Sequence, residues 1–503
     1  MQRAFLKNLF WLQALNWLIK PIWILWIERT VQVQLGNEWY GQYFVHFNLG
    51  LLFAVLLDAG LNAYVSREVA SNGKLTNLTR VVGLRLLLGL VYILAVAWVA
   101  NNQNLDWRIL AFVISNQVLA SIVLLTRAIL QGKQRFIQDS VVSVTDRLVA
   151  IVASAYFLYG GSTFSGLNGI VVFLMAQTMG YAIALILSTV FLTRIKQRDP
   201  KNETYKIDII QSWVKWSKEV VWYILMALFM SAFTRIDALM IRNLSPDMFG
   251  YSGMESGYYQ AGIYAQSYRL LDAGLIFSTL LSTQLLPIFS KNIADKLNSS
   301  ELIWLAFRLV WFVGIMAVAV SFILGEDILN VLYGEKWLNE INSNSTLSLS
   351  SFSWMNFTML MVAFMAMTCI HVFGTYITAL GKLRWLSVMA LLALLVNVLL
   401  NRSLIPQYGS FGAALSAGIT QWLFAIMCFI KAIRNETISW KNIKWKTAPM
   451  SLVLMLIVVL FWSNMQTPLK IAPLALICLS IIAFGMIWML FGKDLKVIIN
   501  KKS

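Results

Sequence analysis

Two histidines and three cysteines in 503 residues leave little from which to build a metal centre or a disulfide framework. Cys369, Cys428 and Cys478 lie far apart inside apolar stretches, with no Cys-x-x-Cys spacing and no histidine companion, so they read as packing residues. His46 and His371 sit toward the ends of apolar runs and read as hydrogen-bonded packing residues rather than a proton relay. No Gly-x-x-x-x-Gly-Lys-Ser/Thr loop is present to hold nucleotide phosphates, and no His-Glu-x-x-His pair to hold zinc. No metal and no cofactor is therefore expected. Charge is scarce as well: 13% of residues are Asp, Glu, Lys or Arg, against about 25% in a soluble domain.

What is present is apolar. Hydrophobic residues make up 59% of the chain and the mean hydropathy is +0.70, which suits a protein whose solvent is lipid. The net charge of +17 could suggest nucleic acid, but Lys and Arg form short clusters between apolar runs instead of one basic face. No nucleic-acid partner is expected, and membrane lipids are. Arg3 and Lys7 precede an apolar run much as in a signal peptide, yet the run continues without a small-residue cleavage site and reads as a retained first span.

A helix needs about 20 mostly apolar residues to cross the hydrocarbon core. That template finds about fourteen spans, at 9–28, 41–64, 81–100, 109–126, 140–159, 167–192, 219–241, 262–287, 302–324, 351–377, 386–401, 411–430, 447–462 and 471–491. An even number puts both termini on one side. Lys and Arg accumulate in cytoplasmic loops, and only Arg29, Arg108, Arg242, Lys336, Arg402 and Lys470 fall in loops on the side away from the N-terminus. Both termini are thus expected in the cytoplasm. The hydrophilic stretch 194–218 ends in Ile209-Ile210-Gln211-Ser212-Trp213-Val214-Lys215-Trp216, whose pattern predicts a helix in the headgroup plane, an elbow between two lobes.

Repeated bundles leave weak internal similarity in secondary transporters. Gly132-Lys133-Gln134-Arg135-Phe136 after the fourth span matches Gly381-Lys382-Leu383-Arg384-Trp385 after the tenth, and Gly41-Gln42-Tyr43 matches Gly262-Ile263-Tyr264. The expected organisation is all-α: a six-helix lobe over 1–198, a cytoplasmic linker over 199–218, a second six-helix lobe over 219–435 related to the first by an internal repeat, and two further helices with a basic tail over 436–503. The identical hexapeptides Leu56–Leu61 and Leu270–Leu275 have a different offset and read as coincidence.

The chain resembles the Wzx-type flippases of the polysaccharide transporter family, relatives of the MATE exporters and of the lipid II flippase. The residues that carry the resemblance begin with Lys20-Pro21-Ile22-Trp23-Ile24-Leu25, Glu28-Arg29-Thr30-Val31-Gln32 and Tyr40-Gly41-Gln42-Tyr43. They continue with Leu57-Asp58-Ala59-Gly60-Leu61, Thr145-Asp146-Arg147-Leu148, Arg235-Ile236-Asp237, Gly262-Ile263-Tyr264 and the run Leu404–Ala414. The resemblance covers about the first 430 residues. It implies translocation of an undecaprenyl-pyrophosphate-linked oligosaccharide repeat, as in O-antigen or capsule assembly, across a bacterial inner membrane through a cleft between two lobes. It also implies partnership with the polymerase and chain-length machinery.

Ionisable groups in a span cost at least about 2.5–3.5 kcal/mol at a helix centre and mark functional candidates. Arg85 and Arg308 lie near cytoplasmic ends and are expected to snorkel. Lys20, Arg147, Arg235 and Arg269 are the substrate-binding candidates, because cations must replace the water around a pyrophosphate and an Arg fork suits phosphate oxygens. Lys20 stands near mid-membrane beside Pro21, the candidate hinge. Asp58, Asp237 and Asp272 are the candidates for ion coupling. Arg269 and Asp272, at i and i+3, can pair on one helix, whereas Arg235 and Asp237 face different sides and need partners elsewhere. Trp23 of the first span reads as packing before sugar stacking. The alternatives to the flippase are a lipid II flippase and a MATE-like ion-coupled exporter. A membrane enzyme is the weakest reading, since the longest outer loop is only about 25 residues long.

Overall fold

In a bilayer every backbone N–H and C=O must be satisfied inside the protein, which leaves the helix as the only open-ended way across. The computed structural model of the chain describes residues 22–58, 78–160, 164–198, 209–334 and 349–434, with Ile19 and scattered positions between 60 and 69. It is all-α, and among the described residues eleven helices are long and apolar enough to span a membrane. They are α1 (Trp23–Asp58), α2 (Leu78–Asn102), α3 (Trp107–Gly132), α4 (Phe136–Tyr159), α5 (Gly166–Arg198) and α6 (Ile209–Leu244). Then come α7 (Gly253–Ala294), α8 (Ser300–Tyr333), α9 (Leu349–Ala379), α10 (Leu383–Tyr408) and α11 (Ser410–Ile433). Large apolar side chains face outward, among them Leu86 and Trp98, each 70% exposed, and Val152 at 68%, as a lipid-facing surface requires. Most of the span expected at 9–28, including Lys20 and Pro21, and the spans expected at 447–462 and 471–491 with Cys478 lie outside the described residues.

Two boundaries differ from expectation. The stretch 29–40, expected as an outer loop, is helical: a π-helical turn, Trp23–Glu28, runs into Arg29–Phe53, and the one break in the latter is Gly36 at φ 79° and ψ 170°. Hydropathy mistakes this segment for a loop because it is polar, although Thr30, Gln32 and Asn37 are buried against protein. Gln32, for example, donates to the Gly262 carbonyl at 2.9 Å. The second difference concerns 209–218, expected as a headgroup-plane elbow. No glycine or proline interrupts the chain between Ile209 and Leu244, and the helix is continuous through it.

The chain divides into two compact units, Met1–Ile276 with Lys382–Thr420, and Phe277–Gly381 with Gln421–Ser503. The second holds an aromatic cluster of Trp304, Phe307, Phe373 and Phe429, with Trp311 packed edge-on against Trp422. In the first, α1 and α7 cross backbone to backbone. A Cβ on Gly41 would run into the Tyr258 carbonyl, and a Cβ on Gly262 into the Asn37 carbonyl. The contact is reciprocal: both pairs are related by the register that aligns Gly41-Gln42-Tyr43 with Gly262-Ile263-Tyr264. The other sequence match is not equivalent in backbone, since Gln134 takes the positive φ (57°) in the first copy and Gly381 (70°) in the second. The repeated hexapeptides part similarly, with Gly60 at φ 79° in a turn and Gly274 inside continuous α7.

The crossing makes a direct prediction. Gly41→Ala and Gly262→Ala should each destabilise the purified protein by about 1–3 kcal/mol through overpacking, whereas Gly83→Ala, with nothing within 4 Å, should not. Thermal unfolding followed by tryptophan fluorescence checks this; equal midpoints for all three variants would contradict the crossing.

Candidate functional site

Arg269 on α7 is buried, 6% exposed, in the first unit. Its Nε donates to Tyr40 Oη at 3.1 Å and lies 3.1 Å from Glu28 Oε2, and its Nη1 lies 3.5 Å from Asp272 Oδ2 one turn along the same helix. The guanidinium also faces the Phe44 and Phe47 rings, 5.5 and 5.1 Å from their centroids, so the apolar surroundings contribute cation–π attraction. Tyr40, Phe44 and Phe47 belong to α1 after the Gly36 break, and Glu28 to α1 before it. The tight turn at Gly36 is what lets both halves of α1 reach the same guanidinium.

The network extends in both directions. Glu28 accepts from Trp23 Nε1 at 3.0 Å, Trp23 stacks on Phe173 with centroids 5.5 Å apart, and Arg147 of α4 sits over the Trp23 ring at 5.4 Å. On the other side Asp272 is 3.4 Å from Arg235 Nη2 of α6, whose Nη1 donates to Asn48 Oδ1 at 3.3 Å. Three of the four substrate-binding candidates, Arg147, Arg235 and Arg269, are thus brought together in one partly buried cluster, and the expected Arg269–Asp272 pair is present. The cationic surplus expected there is not free charge, because Arg235 and Arg269 are both ion-paired. Trp23, 5% exposed, packs as expected.

The aspartates separate into three environments. Asp272 belongs to the arginine cluster. Asp58, 40% exposed, lies 3.7 Å from Arg85, and Arg85 is itself buried, donating to Ser121 Oγ at 2.7 Å and Asn62 Oδ1 at 3.0 Å. Arg85 therefore does not snorkel as expected: Asp58, Asn62 and Ser121 on neighbouring segments supply the polar partners that headgroups would otherwise provide. Asp237 is 2% exposed and makes no ion pair among the described residues. Its carboxylate accepts from Tyr264 Oη at 3.0 Å and Asn401 Nδ2 at 2.8 Å; Asn401 also donates to Asn397 Oδ1 at 3.0 Å, and Asn397 to Thr420 Oγ1 at 3.5 Å. Arg235 and Asp237 do point to different partners, as their spacing requires.

Sequence reasoning missed Glu28, Tyr40, Asn48, Asn397 and Asn401 as members of these networks. Glu28 was read as the terminus of an apolar window, although Glu28 and Gln32, four residues apart, mark one polar face of a continuing helix. The carboxamides carry no charge and leave no comparable signal. Cys369 and Cys428 are free and buried, and His46 is fully buried with Nδ1 2.6 Å from the Gln42 carbonyl, in keeping with packing roles.

Comparison with known proteins places this architecture. The capsular polysaccharide biosynthesis protein CapF of Staphylococcus aureus is 29% identical over 173 residues, 34% of this chain and 40% of that protein. An inward-facing multidrug resistance MATE family transporter of the MOP superfamily superposes with a TM-score of 0.60 at 14% identity, covering 82% of this chain and 94% of its own. The lipid II flippase MurJ in an inward closed conformation superposes with a TM-score of 0.59 at 14% identity, covering 98% and 99%. These likenesses establish a shared fold, that of multi-pass proteins, and the apolar helices with the family match place this chain in the bacterial inner membrane. Residues 5–293 match the family described as polysaccharide biosynthesis protein, and the chain belongs to that family.

Proposed function

We propose that the chain carries undecaprenyl-pyrophosphate-linked oligosaccharide repeat units from the inner to the outer leaflet by alternating access of its two six-helix lobes, without covalent chemistry. The observation that carries this reading is the partly buried arginine cluster of Arg147, Arg235 and Arg269 in a member of a polysaccharide biosynthesis family. A guanidinium can present two parallel donors to phosphate oxygens, and a headgroup moved through hydrocarbon needs such groups in place of water. Lys20, with Pro21 as its hinge, is assigned to the same pyrophosphate. The lipid II flippase reading shares this charge logic, and the coverage of 98% by that fold supports it as the nearest rival. A MATE-like exporter of cationic compounds fits less well, because a cationic cargo would have to displace arginines from Glu28 and Asp272.

For coupling, Asp237 is the best of the three carboxylates. Asp58 and Asp272 already face arginines, whereas Asp237 faces only neutral donors among the described residues, with the oxygens of Asn397 and Thr420 close by. A proton or small cation there would neutralise a buried charge that nothing else compensates.

In proteoliposomes, transfer of a fluorescent undecaprenyl-pyrophosphate oligosaccharide should fall at least about tenfold in Arg235→Ala and Lys20→Ala, the loss of one charge-assisted contact. Cationic dye efflux in place of lipid transfer would establish the exporter instead, and preferential competition by lipid II would establish the rival flippase. Asp237→Asn should abolish the response of transfer to an imposed proton or sodium gradient, while Asp58→Asn keeps it; an unchanged response in Asp237→Asn would remove that residue from coupling.

A further inference from the structure

Two of the arginines suited to a pyrophosphate, Arg235 and Arg269, are already occupied by carboxylates, and the fit of Glu28 to Arg269 leaves polar groups unused. Asp272 is shared between Arg235 and Arg269, so Glu28, buried at 3% exposure, supplies the rest of the neutralisation of Arg269. Burying a second carboxylate in a low-dielectric site carries a large desolvation penalty, which a single partner seldom offsets.

The fit is also incomplete. Arg269 Nε gives its hydrogen bond to Tyr40, so Glu28 Oε2 is held by charge without a hydrogen bond of its own, and Arg269 Nη2 has no partner among the described residues. The contacts between Arg235 and Asp272, at 3.4 and 3.5 Å, are at the long limit for a hydrogen bond. The cluster therefore has donors in reserve. A pyrophosphate, with more charge and more acceptor oxygens than a carboxylate, can use them.

Glu28 furthermore closes the π-helical turn Trp23–Glu28. Such turns hold about one residue more than an α-turn and are common at functional sites. Relaxing this one to α geometry would rotate Glu28 relative to Trp23 by one residue's step, about 100°. The carboxylate thus rides on a segment with a second regular geometry open to it.

We propose that Glu28 is an internal stand-in for the cargo's phosphate: it neutralises Arg269 in the empty protein, is displaced when a pyrophosphate arrives, and by returning expels the headgroup. Asp272 plays the same part toward Arg235. The proposal rests on the flippase reading, and it adds that the site is a competition between fixed carboxylates and a mobile phosphate anion. Glu28 is then a positioning residue that sets affinity and release, and need not touch cargo.

The test is titration of the detergent-purified protein with undecaprenyl diphosphate and, separately, with inorganic pyrophosphate, by calorimetry. Glu28→Gln should bind undecaprenyl diphosphate about tenfold more tightly than wild type, within the usual range of coupling between competing ligands, and should release it more slowly in the transfer assay. Glu28→Asp, which keeps the charge, should stay within about twofold of wild type on the same scale. Asp272→Asn should tighten binding in the same direction, which provides the measurement if Glu28→Gln does not fold. A purely structural role would weaken binding instead. Equal or weaker binding by folded neutral variants, beside measurable binding by wild type, overturns the stand-in and leaves the flippase reading intact. No binding by wild type overturns both. Tightening with undecaprenyl diphosphate alone assigns the competition to the lipid-borne group; tightening with inorganic pyrophosphate as well assigns it to the phosphates themselves.

Discussion

A guanidinium buried among aromatic rings must be neutralised, and much of the first unit is arranged around that requirement at Arg269. Glu28 and Tyr40 come from the two halves of α1, and Asp272 comes from α7 itself. To reach across, α1 and α7 must approach more closely than side chains normally allow, and the Gly41 and Gly262 crossing permits it. The electrostatic demand and the glycine contact are two ends of one constraint. The close crossing and the Glu28–Arg269 pair both join α1 to α7, and without the ion pair the buried charges would oppose that packing.

This constraint also explains which features the sequence displayed. The span positions were legible because apolar windows of membrane length have few alternatives, and the eleven described helices cover the expected spans from 41–64 to 411–430. Arg147, Arg235 and Arg269 were legible as candidates because charge inside a span is costly, and the i, i+3 spacing of Arg269 and Asp272 already showed their pairing. Glu28 was not legible, because a hydropathy window ends at the first cluster of polar residues and treats it as water-facing. The polar run from Glu28 to Glu38 is helical and buried against protein in several places, as Gln32 on the Gly262 carbonyl shows. Long-range neutralisation has no local signature: Arg85 lies near a span end, and nothing in its neighbourhood along the chain shows that Asn62 and Ser121 will enclose it.

Helix α6 joins the two polar systems. Arg235 and Asp237 are two residues apart, roughly 200° around the helix, so one faces Asp272 and Asn48 while the other faces Tyr264 and Asn401. Both networks close back onto α7, through Asp272 in one case and Tyr264 in the other. A rotation of α6 that shortens the contacts of Arg235 must therefore disturb those of Asp237. Rigid elements that carry two such interactions are the physical means by which distant equilibria become coupled. In the proposed cycle the partners of Asp237 are neutral and well within hydrogen-bond length, whereas those of Arg235 are charged and long. A proton or cation taken up at Asp237 changes the firmer network, and α6 transmits that change to the looser one, where carboxylate and phosphate compete. In that cycle the shorter bonds at Asp237 hold the helix more firmly, and the longer contacts at Arg235 are the easier ones for cargo to replace.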